Sequence, residues 1–134
     1  MYKIKEYDYR KYLELRGTRE LDKPFALELR DHNTRYFVIE KNDEFFDDFG
    51  IYENSYYLNL NRNNFKDREL MESIKKYLQE EGYEYVEVFI PLNNVNDYFN
   101  EPENYSVIKE TFNNIIEDDY HENDINYKKM RLYL

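Results

Sequence analysis

Between residues 66 and 81 the apolar side chains recur at helical spacing. Leu70, Met71, Ile74, Tyr77 and Leu78 form one stripe, with charged and amide residues between them. That period predicts an amphipathic helix. Asn63 or Asn64 is available to cap its start, and Gly82 to end it. Glu72 and Lys76 add a favourable pair one turn apart. A second stripe, Ile108, Phe112, Ile115 and Ile116, predicts another helix from Ser106 to about Glu117.

Elsewhere the period is two. Phe25, Leu27 and Leu29 alternate with Ala26, Glu28 and Arg30, and Tyr36 and Val38 alternate with Phe37 and Ile39. With Asp31, His32, Asn33 and Thr34 as the turn, residues 25–41 read as a β-hairpin. Tyr56, Leu58 and Leu60 predict a third strand. Val86, Val88 and Ile90 oppose Tyr85, Glu87 and Phe89 in a strand that Pro91 ends. Met130, Leu132 and Leu134 close the chain as a last strand, while YKIKEYDYRKYLELRG near the start fits strand or short helix equally. This order predicts an α+β fold: an antiparallel or mixed β-sheet with two main helices packed on one face. The three glycines and three prolines are scattered, no linker is visible, and residues 1–134 are expected to form a single domain.

Composition changes the picture in three ways. Leu, Ile, Val and Phe supply 35 of the 134 residues, above the share below which a charged chain stays unfolded. Sixteen tyrosines and no tryptophan predict a core whose rim is rich in phenolic hydroxyls that need partners. The absence of cysteine excludes disulfides and thiolate metal sites. No apolar leader or membrane-length apolar run is present, so a cytoplasmic protein with no membrane partner is expected.

The net charge of −10 is unevenly spread along the chain. Residues 77–127 hold thirteen acids against one base, Lys109, a net of −12; the remainder carries 18 bases and 16 acids. Tyrosines and asparagines interleave with these acids, as in protein interfaces. A smaller cluster, Asp43, Glu44, Asp47 and Asp48, sits among Phe45, Phe46 and Phe49. A solvated face is the plain explanation. The near absence of bases instead favours a surface that fits a basic groove. On this ground the expected function is a non-enzymatic inhibitor, a nucleic-acid mimic. It would block a basic nucleic-acid-binding protein such as a nuclease or CRISPR effector, in the manner of a phage anti-CRISPR or anti-restriction protein. An immunity protein against a toxic nuclease is the alternative. The residues expected to bind the partner are Glu101, Glu103, Tyr105, Glu110, Glu117, Asp118, Asp119, Tyr120, Glu122 and Asp124.

Other chemistry has weaker signals. Asp118, Asp119, His121, Glu122 and Asp124 are hard ligands, and a small metal-dependent enzyme or regulator using them is the alternative of a different class. Their spacing matches neither an EF-hand nor HExxH, so no metal and no cofactor are expected. Two histidines, His32 and His121, and no GxSxG context leave no catalytic residue to nominate. Gly17, Gly50 and Gly82 stand alone and build no phosphate loop. Direct binding to nucleic acid is disfavoured by the charge.

Overall fold

A two-residue Asn–Asp turn organises the first sheet. Asn42 and Asp43 both take left-handed backbone angles, φ 54° and 64°, the geometry whose twist matches that of two antiparallel strands. In the computed structural model, which describes residues 1–17, 35–51, 58, 60–91, 102–122 and 124–134, this turn joins β2 (Arg35–Lys41) to β3 (Glu44–Ile51). Before them come β1 (Tyr2–Tyr7) and α1 (Tyr9–Arg16). After them come a 3-10 turn (Arg62–Lys66), α2 (Arg68–Glu80), β4 (Tyr85–Pro91), α3 (Pro102–Thr111), β5 (Asn114–Glu122) and β6 (Ile125–Tyr133). The strands form two antiparallel sheets of three, ordered β1-β2-β3 and β4-β6-β5.

Several expectations need correction. Of the acidic cluster among Phe45, Phe46 and Phe49, Asp43 is in the turn, Glu44, Asp47 and Asp48 are on a strand, and Asp47 and Asp48 are fully buried. The run 25–30 lies outside the described residues. β2 pairs with β1 on one side and β3 on the other along its length, so its hairpin partner is β3, reached through Asn42 and Asp43. Of the third strand expected around Tyr56–Leu60, only Leu58 and Leu60 are described, both buried in the core. The N-terminal segment is both things it could have been: a strand, then a helix whose N-cap Asp8 accepts from the Lys11 amide at 2.8 Å.

The helix expected at residues 66–81 is α2. Its cap is Asp67, which accepts from the Leu70 amide, rather than Asn63 or Asn64. Gly82, at φ 90°, follows its end as the pattern predicts. Leu70, Met71, Ile74 and Leu78 are buried together with Val107 and Ile108 of α3, Phe112 just after it, Val86 and Val88 of β4, and Met130 and Leu132 of β6. Phe37, Ile39, Phe49 and Ile51 complete that core from the first sheet. A second, smaller core joins Tyr12 of α1 to Tyr36 and Val38. The second predicted helix stops about six residues early. Thr111 is its last residue, and Ile115 to Glu117 belong to β5, where nine ladder partners on β6 outweigh the helical spacing of Ile115 and Ile116.

Arg35 ties three elements together. Its guanidinium donates to both oxygens of Glu6 on β1, at 2.7 and 2.8 Å, to Glu81 after α2 at 3.1 Å, and to the Tyr83 hydroxyl at 2.5 Å. It also lies over the Phe37 ring. The hydrogen bonds from Arg35 hold the Glu6 carboxyl below its ordinary value. A depressed carboxyl stabilises the fold above its unfolded value of 4.5, and that stability disappears as pH falls through the lower folded value. Arg35→Met is expected to cost about 1–2 kcal/mol at neutral pH, moderated by the partial exposure of the network. Thermal melts from pH 3 to 7 check both parts: the variant should lose less stability on acidification than the parent.

Candidate functional site

Phe46 is an extra residue on β3. The ladder pairs Ile39 with Asp47 and Glu40 with Phe45, so Phe46 bulges out of register. A bulge places two successive side chains on one face of the sheet. Phe46 packs on the Tyr2 ring, centroids 5.1 Å apart, and the Tyr2 hydroxyl donates to Asp67, the cap of α2. Asp47 turns the same way. Its carboxylate accepts from the Asn61 amide at 2.9 Å, the Asn61 side chain at 2.8 Å, the Asn64 side chain at 2.8 Å and the Asp48 amide at 2.7 Å. Both residues of the bulge therefore converge on the start of α2. Asp48 points to the opposite face and takes the Tyr12 hydroxyl.

The segment they grip bridges the two sheets. The Leu58 amide donates to the Glu87 carbonyl of β4 at 2.8 Å, and three residues on Asn61 is held by Asp47 of β3. The 3-10 turn follows, then the first turn of α2. Residues 62–68 read Arg-Asn-Asn-Phe-Lys-Asp-Arg, three bases against one acid in a chain of net −10. Beside them a depression of about 660 Å³ is lined by Arg68, Glu69, Glu72, Ser73 and Lys76. Arg68 pairs with Glu110 of α3, and the Lys75 ammonium donates to the Thr111 carbonyl at 2.8 Å, so the end of α3 is fastened to α2. Burial pushes the Tyr2 hydroxyl well above its ordinary value, with Asp67 adding to the shift, so Tyr2 stays a hydrogen-bond donor to the cap. The junction thus brings together a helix N-terminus, a turn held by Asp47 and a stretch of sequence with more bases than acids.

Of the residues expected to bind a partner, those described lie on α3, on β5 and in the β5–β6 turn. Glu101 lies outside the described residues, and Glu103 and Tyr105 fall within α3. Glu110 is taken by Arg68. Glu117, Asp118, Asp119, Tyr120 and Glu122 are all residues of β5. Asp124, at φ 61°, is a turn residue of the β5–β6 hairpin. The bases that answer the acids are on β6. Asp118 stands opposite Lys129 and Asp119 opposite Lys128, while Glu117 pairs with Lys128 at 3.0 Å. The acidic window in the sequence ends one residue before Lys128, so part of the imbalance carried by β5 is met by bases on the neighbouring strand. Tyr120 is half-buried near Tyr127. Among the described residues no three acidic or histidine side chains gather as a metal site would require, and the His121 ring shares a 2.7 Å hydrogen bond with the Asn126 side chain.

Sequence reasoning missed the junction. The available signal was Asn42–Asp43 as a turn between two strand-like runs, which would have made 44–51 a strand and its aspartates buried.

No protein-family model matches the chain and no curated protein matches it in sequence. Solved structures match in fold over nearly the whole length. An N-acetyltransferase from Staphylococcus aureus Mu50 superposes with a TM-score of 0.56 at 16% identity, covering 99% of this chain and 97% of that one. A chimeric spermidine N-acetyltransferase from Vibrio cholerae gives 0.55 at 14%, covering 98% and 95%. A GNAT family acetyltransferase from Elizabethkingia anophelis, with acetyl-CoA bound, gives 0.52 at 11%, covering 99% and 98%. At such identities the likeness shows the fold. It overturns the expectation of a non-enzymatic inhibitor, whether anti-CRISPR, anti-restriction or immunity protein, because the architecture is shared end to end with acetyltransferases. The charge argument failed for the reason given above: a window along the chain is not a surface. No helix among the described residues is long and apolar enough to cross a membrane.

Proposed function

We propose that this chain is an N-acetyltransferase that moves an acetyl group from a CoA thioester to a cationic amine. What carries the reading is the fold likeness, complete in both directions, to acetyltransferases that include one with CoA and one with acetyl-CoA bound. In the same reading the 134 residues act as one domain, with α2 and α3 on one face of the sheets and α1 on the other. The two separate cores support that packing.

The start of α2 suits the phosphates of such a donor in its charge. Arg62, Lys66 and Arg68 fall within seven residues of sequence there, and the helix dipole adds to them. The turn has no glycine, and Asp67 already occupies the Leu70 amide, so the basic side chains rather than that amide would hold the phosphates. When bound, the donor supplies an acyl carbon activated as a thioester. The chain contributes the field that brings the acceptor: a protein of net −10 raises the local concentration of multivalent cations. Similar structures include a spermidine N-acetyltransferase, and a polyamine is the acceptor class we infer.

The absence of cysteine makes the test clean, since a thiol reagent reads only released CoA. With acetyl-CoA present, thiol release should depend on added spermidine and exceed that with a neutral amine of the same length. The KM for the polyamine should rise with salt, because exposed charges are screened within about 8 Å at 0.15 M. Calorimetry that detects no binding of CoA or acetyl-CoA, with no thiol release for any amine, would overturn the reading.

A further inference from the structure

We propose that Asp47 is a positioning residue. It fixes the turn from Asn61 to Asn64, and through that turn sets how tightly the start of α2 holds a CoA-type donor. The inference rests on the acetyltransferase reading for its ligand, and on geometry alone for the positioning.

The geometry is unusual for an aspartate in a sheet. Asp47 has no solvent exposure, yet carries a carboxylate in the face that otherwise holds Ile39, Phe49 and Ile51. A buried carboxylate is costly unless hydrogen bonds satisfy it. Here four donors do so, and three of them, the Asn61 amide and the Asn61 and Asn64 side chains, come from the turn. The bulge at Phe46 supplies the aim, since it sets Asp47 on the α2 side of β3. Other contacts hold the turn as well: the Asn64 amide donates to the Asn61 carbonyl at 2.9 Å, the Asp67 amide to the Asn64 carbonyl at 3.2 Å, and Phe65 packs into the core. Asp47 connects the beginning of the turn to β3 of the first sheet, as the Tyr2 hydroxyl connects Asp67 at its end to β1. Asp47 touches no part of the depression beside α2, so its influence on a ligand there runs through the turn.

Two variants test this. Asn64→Ala removes one donor and leaves the carboxylate with three, so the fold should survive. Asp47→Asn places an amide against donors and is the stronger perturbation. The first measurement needs no ligand: hydrogen exchange of the amides of residues 61–67 in the free protein. Both variants should exchange faster there, with exchange in β4, β5 and β6 unchanged. The second is titration with CoA, whose Kd should rise about tenfold in Asn64→Ala and further in Asp47→Asn, as when a ligand-holding group is displaced slightly. Asp47→Asn combined with Asn64→Asp restores a donor–acceptor pair at this contact and should recover part of the affinity. Unchanged exchange in residues 61–67 in Asn64→Ala would overturn the positioning role. Faster exchange with an unchanged Kd would overturn the link to the donor. A parent protein that fails to bind CoA would instead bring down the acetyltransferase reading and the donor link with it, while the exchange data would still decide whether Asp47 positions the turn.

Discussion

Ile74→Asp is expected to abolish cooperative folding. Ile74 is at the centre of the α2 stripe and has no exposure, enclosed by a core to which α3, β4, β6 and the first sheet all contribute. An aspartate there has no donor to meet it, and an unpaired buried charge is far more costly than a lost methylene. The expected loss is about 4 kcal/mol or more, a large part of the roughly 5–15 kcal/mol that holds a domain together. Circular dichroism and thermal melting measure it. Ile74→Val is the control and should cost only about 1 kcal/mol. A soluble Ile74→Asp variant with the parent's melting temperature would show that α2 does not pack through this stripe.

Tyr12→Phe is the second large effect. The Tyr12 ring stacks on Tyr36, and its hydroxyl donates to Asp48, a fully buried carboxylate on the side of β3 that meets the small core. The substitution keeps the ring and removes one donor to a buried charge, at an expected cost of about 2–4 kcal/mol. pH separates this from a packing loss. Burial pushes the Tyr12 hydroxyl above its ordinary value of 10.0, and the Asp48 charge and hydrogen bond push it further. A raised value means that the stabilisation is complete below pH 10 and declines as pH rises from there toward the folded value. The parent should therefore lose stability steeply above pH 10. Tyr12→Phe should lose less over the same range, although Tyr2, shifted in the same direction, retains part of the slope. Parallel alkaline slopes in the two proteins would remove Tyr12 from the account.

What could be read from the sequence follows a physical boundary. The Leu70–Leu78 stripe and the Val86/Val88 alternation were legible because each is a local period imposed by a single element against a core. The junction before α2 was not, because burial of Asp47 depends on Asn61 and Asn64, 14 and 17 residues away, and that of Asp48 on Tyr12, 36 residues away. An aspartate without its partners in view looks like surface. The β5 strand was hidden for a related reason. Ile115 and Ile116 continue the helical spacing of Ile108 and Phe112, and only their ladder with Leu132 and Arg131 breaks the tie. The charge pattern failed at the same boundary. Acids on β5 and bases on β6 are neighbours in space, although the hairpin turn separates them along the chain.

Length changes in related chains are ordinarily confined to loops, because dropping one residue from a strand sends every later side chain to the wrong face. β3 is an exception. Phe45 packs in the small core, Phe46 and Asp47 both turn to the large one, and Asp48 returns to the small one. Excising Phe46 would leave Phe45, Asp47 and Asp48 in strict alternation, each still on its present side. The chain would lose the ring that covers Tyr2, but neither aspartate would change partners. The middle of this strand is therefore a place where a one-residue gap can open without moving the start of α2.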